Sequence, residues 1–129
     1  MVLFYFGGET MKELHANHYE ILKTTGYTAY HSQGFKGEGM IIAVLDSGIR
    51  TTHKEFEDRV IKGRNFVSRG KSNGTAYDIN DVEDDNGHGT GVASRAVGKT
   101  LGVVPKAKVL VVKCAYDKQD KKCFILTMS

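Results

Sequence analysis

The sequence predicts an α/β fold, a parallel β-sheet with helices on both faces in a three-layer α/β/α arrangement. Three observations carry this. Residues 40–45 (MIIAVL) and 108–114 (KVLVVKC) are nearly continuous apolar runs, the pattern of strands buried on both faces. Between them, Gly87-His88-Gly89-Thr90 opens a run of small residues, 91–97, with a helical pattern that can pack close to a sheet. The order strand, loop, helix, strand is a βαβ unit, which requires a parallel sheet and a right-handed crossover.

Taken in order, residues 1–6 (MVLFYF) are apolar and stopped by Gly7-Gly8. They have no basic n-region and are short for a signal-peptide core, so they read as a first strand or the scar of a truncated start. Residues 10–25 read as a helix. Thr10 and Glu13 have capping-box spacing, Met11, Leu14, His18, Ile21 and Leu22 share one face, and Gly26 supplies the stop. His15 and His18 stand three apart, but no third ligand follows at motif spacing, which favours a helix surface over a metal site. Residues 27–33 form a second short helix ending at Gly34, and residues 37–39 are a turn.

The run 40–45 ends abruptly at Asp46-Ser47-Gly48. A carboxylate at the carboxyl end of a parallel strand stands where open α/β sheets place their chemistry, although Asp and Ser also serve as caps. Residues 51–58 read as polar loop or a short turn of helix, 60–67 (VIKGRNFV) as a second strand interrupted near Gly63, and 68–78 as an exposed loop. Asp78, Asp81, Glu83, Asp84 and Asp85 lie close together. Their spacing does not match the calcium-loop motif, so a solvated acidic loop is the default and structural calcium the lesser alternative. The tail is charged over 117–122 and apolar over 123–128.

Composition sets bounds. A chain of 129 residues suffices for one domain with a core, and 40 % apolar and 26 % charged residues are ordinary for a globular protein. A net charge of +3 argues neither for nor against nucleic acid. No apolar run approaches a membrane span. Cys114 and Cys123 make no disulfide framework; pairing across the short loop and two separate thiols are both open, and the compartment stays undefined.

Asp46 and His88 are the candidate site. If the His88 helix runs back antiparallel to the strands, its N-terminus lies at the sheet edge where Asp46 stands. The positive end of a helix disfavours imidazolium, leaving a neutral His able to accept a proton. An adjacent buried Asp would fix its tautomer and stabilise the cation formed during reaction.

These residues resemble a known family. IIAVLDSGI (41–49) is similar to the segment around the catalytic Asp of subtilisin-like serine proteases, the subtilases, and NGHGTGVAS (86–94) to the segment around their catalytic His. HSQGFKGEG (31–39) and LGVVPKAKVLVVK (101–113) resemble the flanking segments, so the likeness covers about 26–113. The chain supplies Asp and His in the order expected for subtilisin. The resemblance implies a subtilisin-like, incomplete fold, with 1–25 an N-terminal segment and 26–129 a partial peptidase domain carrying the Asp and His motifs only. It implies that Asp46 orients His88, that His88 is general base and then general acid, and that the partner is a protein or peptide substrate, with no nucleic acid, membrane or cofactor. It also implies a secreted or endomembrane-lumen setting.

Three departures bear on that expectation. The family's His-Gly-Thr-His becomes His88-Gly89-Thr90-Gly91, which touches local packing more than chemistry. The short link 97–102 leaves no room for the calcium-binding insertion often found after the His helix. None of Ser32, Ser47, Ser68, Ser72, Ser94 or Ser129 has the family's Gly-Thr-Ser-Met-Ala-like nucleophile context, and the oxyanion Asn would also lie past Ser129. The expected function is therefore serine-type endopeptidase by family, with this chain inactive by itself. The alternative is an inactive protease fragment that binds a peptide or partner.

Overall fold

The computed structural model describes residues 19–67, 78–117 and 123–125. Residues 10–18 of the expected first helix, His15, His18, the apolar start, the loop 68–77 and tail residues 118–122 and 126–129 lie outside the described residues. The chain divides into two compact units between Phe35 and Lys36.

In the first unit, residues 19–24 are helical (α1) and α2 spans Tyr27–Ser32. Gly26 lies between them at φ 85°, a left-handed conformation that ends one helix and starts the next. Gly34, at φ 93°, follows α2 as expected.

The second unit is built on a three-stranded parallel sheet. β1 is Ile41–Asp46, β2 is Val60–Asn65 and β3 is Lys108–Lys113. The strand order is β1-β3-β2, so the last strand is the central one. Ile42 pairs with Val109, Val44 with Val111 and Asp46 with Lys113. Because side chains alternate, these six residues share one face. α3, His88–Val97, packs on β1 and β3. Val44, Val109 and Val111 form the core with Ala93, Val97, Ile49, Phe56, Val82 and Ala107.

α3 runs antiparallel to the strands. Its first residue meets Asp46 at the carboxyl end of β1, and its last lies near the strand starts. There the Arg59 guanidinium donates to the carbonyls of Val97 (2.5 Å), Ala107 (3.0 Å) and Glu55 (2.6 Å). The chain returns from α3 to β3 in a close turn, Val103 N–H and Val104 N–H donating to Arg95 and Ala96 carbonyls. β2 slips register between Lys62 and Asn65, around Gly63, where a Cβ would sit 2.3 Å from Val111 O. This is the expected interruption.

Among the described residues one face of β1 is covered: Val44 on the α3 face is buried, while Ile41 and Leu45 are 57 % and 64 % exposed. Two expectations need correction. Residues 51–58 are turns, as expected, yet Phe56 within them is fully buried at the centre of the core. The acidic stretch is not simply solvated; most of its carboxylates bond to the protein itself. Beyond β3, β4 (Ala115–Asp117) and β5 (Cys123–Ile125) form an antiparallel pair that sets Cys123 opposite Asp117 rather than Cys114. Among the described residues, no helix is long and apolar enough to cross a membrane.

Candidate active site

Alternation along β1 puts Asp46 on the α3 face, at the point where the strand ends. Gly48 follows at φ 104°, and a Cβ there would lie 2.5 Å from Val82 O, so the chain can turn beneath the 82–83 backbone only with glycine. Ile49 N–H donates to Val82 O at 3.0 Å. On the opposing element, Gly87 at φ 98° starts α3, and Gly89 lets the helix approach the strand end: a Cβ at 89 would sit 2.1 Å from Gly48 O and 3.1 Å from Asp46 Cβ.

The result is direct contact. His88 Nδ1 lies 2.9 Å from both Asp46 carboxylate oxygens. The Asp46 side chain is 15 % exposed and that of His88 51 %. A carboxylate only accepts, so Nδ1 is the protonated nitrogen and Nε2 carries the lone pair of the neutral ring. Asp46 Oδ1 also accepts Ser47 N–H at 2.7 Å.

The start of α3 needs partners for its unpaired N–H groups, and the surroundings supply them. Asn86 Oδ1 accepts His88 N–H (3.1 Å), Ser47 Oγ accepts Gly89 N–H (3.0 Å), and Asp84 Oδ2 accepts Thr90 N–H (2.9 Å). Asp84 Oδ1 further accepts Ser47 Oγ–H (2.8 Å) and the N–H groups of Asn86 (3.0 Å) and Gly87 (2.9 Å), and Oδ2 accepts Thr90 Oγ–H. Burial alone would raise the Asp84 pKa. The bonds from Thr90, Gly87 and Ser47 outweigh it and hold the carboxyl below its ordinary value. Glu83 accepts from Thr51, and Asp81 and Asp78 accept the N–H groups of Glu83 and Asn80. Lys113, 3 % exposed, donates its ammonium to Glu83 O at 2.7 Å and lies 3.0 Å from Asp85. Among the described residues no group of three or more His, Cys, Asp or Glu is placed to hold a metal ion.

The two predicted residues are thus brought together from 42 positions apart. Asp84, Ser47, Thr90 and Lys113 were not singled out as parts of one site. The local signal for Asp84 was its place four residues ahead of a glycine-flanked His, as an acid before a helix start. Gly91, the departure from the family's motif, has open space around it: a Cβ there would meet nothing within 4 Å.

A model of the Subtilase family matches residues 37–128, well over half of the chain. The chain belongs to the subtilase family. The subtilase match starts inside the stretch whose motifs suggested it and runs past Lys113 to residue 128. Subtilisin-like protease 1 of Pseudogymnoascus destructans is 38 % identical over 91 residues, and subtilisin-like protease 7 of Trichophyton verrucosum 40 % identical over 92. Each alignment covers 70 % of this chain and 20 % of the relative, so this subtilase chain spans about a fifth of those relatives' length. The crystal structure of a cold adapted subtilisin-like serine proteinase superposes with a TM-score of 0.55 at 32 % identity, covering 64 % of this chain and 27 % of that one. The parallel sheet with α3 on it is thus part of a subtilisin-like α/β/α fold.

Proposed function

We propose that this subtilase segment supplies the acid and base halves of a serine endopeptidase, with protein or peptide as substrate. His88 is the general base, taking a proton at Nε2 from a serine hydroxyl and returning it to the leaving amine. Asp46 holds the ring and stabilises the imidazolium formed between those steps. The observation that carries this reading is the 2.9 Å contact of Nδ1 with the Asp46 carboxylate beside a half-exposed imidazole.

The nucleophile is not among the described serines. Ser47 is buried and bonded to Asp84 and Gly89, Ser32 donates to Ala29 O, and Ser94 donates to Gly91 O. That observation supports the second reading, in which the 129-residue chain by itself is inert and at most binds a peptide or partner. Fluorogenic-peptide hydrolysis and fluorophosphonate labelling separate the two, applied both to the natural product of the gene and to this chain. The expected result is hydrolysis by the natural product, abolished in His88→Ala and lowered about 10⁴-fold in Asp46→Asn, with no labelling of the chain alone. Labelling of the chain that disappears in His88→Ala would put a nucleophile within these residues. Hydrolysis by the natural product that survives His88→Ala would remove His88 from the mechanism.

A further inference from the structure

We infer that Asp84 is a positioning residue, the clamp that sets His88 over Asp46. This rests on the reading of Asp46 and His88 as the working pair. Neither member of the pair is aligned by its own contact alone. The residue after Asp46 is Ser47 and the residue after His88 is Gly89; these two neighbours are joined, Ser47 Oγ accepting Gly89 N–H at 3.0 Å. A hydroxyl has one proton, and it can turn a lone pair to Gly89 only if the proton points elsewhere. Asp84 Oδ1 receives it at 2.8 Å. The carboxylate therefore dictates the orientation of a side chain that stitches the strand end to the helix start.

The other oxygen repeats the arrangement one residue further along. Oδ2 receives the Thr90 Oγ proton as well as Thr90 N–H, which leaves Thr90 Oγ free to accept Arg50 N–H at 3.0 Å. Two hydroxyls, Ser47 and Thr90, thus bridge the turn 46–50 to α3, and both depend on one acceptor-only group. With the Asn86 and Gly87 N–H groups, Asp84 receives five donors. An asparagine offers one oxygen and would set its amide hydrogens against donors on the other side. The loop that carries Asp84 is held from beyond by Lys113 through Glu83 O and Asp85.

Helix capping alone would predict that losing Asp84 weakens the helix start and nothing more. Positioning predicts a change at His88, which Asp84 does not touch. Nitrogen-15 NMR of the chain labelled at histidine reads this through the His88 Nδ1–H resonance and its exchange with water. In Asp84→Asn, Thr90→Val and Ser47→Ala the exchange is expected to rise on the order of tenfold or more, the equivalent of about 1.4 kcal/mol, the order of one lost hydrogen bond. Thr90→Ser, which keeps the hydroxyl, is expected to restore the wild-type rate. Thr90→Val removes a single oxygen and keeps the proposal testable if Asp84→Asn does not fold. A wild-type Nδ1–H signal that is lost in Asp46→Asn but untouched in Asp84→Asn and Thr90→Val would overturn the clamp while leaving the Asp46–His88 reading intact. The absence of any Asp46-dependent signal in the wild type would overturn that reading, and the clamp with it.

Discussion

Gly89→Ala tests the close approach on which the site depends. The added Cβ would lie 2.1 Å from Gly48 O, against about 3.3 Å for an ordinary carbon–oxygen contact. The opposing atom is backbone, in a turn already held under Val82 O, so α3 itself has to move by about 1 Å. A shift of that size takes His88 Nδ1 and Asp46, now 2.9 Å apart, out of hydrogen-bond range and opens the Gly89–Ser47 bond. Overpacking costs roughly 1–3 kcal/mol, and each bond lost adds roughly 1 kcal/mol. Replacing glycine by alanine within a helix returns only about 1 kcal/mol, so the clash wins, with a net loss of roughly 2–4 kcal/mol. Gly91→Ala, two residues along the same helix and open on all sides, should instead gain roughly 0.5–1 kcal/mol. Urea denaturation followed by far-ultraviolet circular dichroism compares the two. Equal stabilisation by both substitutions would refute the argument that Gly89 is required by contact.

Three further outcomes follow from the packing and charges. Asp84 has a folded pKa below its ordinary 3.8, so its contribution is present above that value and lost as pH falls through the lower folded one; the acid limb of the urea midpoint should be shallower in Asp84→Asn, and an unchanged limb would count against it. Phe56→Ala empties the middle of the core and should cost roughly 3–5 kcal/mol, enough to collapse methyl dispersion in proton NMR; retained dispersion would contradict the placement of Phe56. Leu45→Lys, on the exposed face of β1, should leave stability within about 0.5 kcal/mol and raise solubility by breaking an apolar patch; a large loss in the urea midpoint would mean that the face is covered.

The strands and the Asp–His pair were legible because each rests on a local signal. The runs 40–45 and 108–114 are apolar enough to be strands whatever surrounds them, and a glycine-flanked His before small residues marks a helix built for close approach. What escaped depends on partners distant in sequence. Phe56 sits in a polar stretch, HKEFEDR, and is drawn inside by the turns around it. Asp84 has the composition of a solvated loop, and only the fold brings Ser47, 37 positions away, to its oxygen. Lys113 reads as the polar end of a strand, yet it is buried because alternation puts it on the α3 face beside the 83–85 backbone.

The central claim is that Asp46 holds His88 with Nδ1 protonated and Nε2 ready to accept a proton. Long-range nitrogen–proton correlation of the histidine rings in wild type and Asp46→Asn addresses it most directly. The account predicts that the neutral ring of His88 carries its proton on Nδ1 in the wild type, and that this tautomer preference is lost in Asp46→Asn. A His88 protonated at Nε2, or one whose spectrum is the same in both proteins, would contradict it.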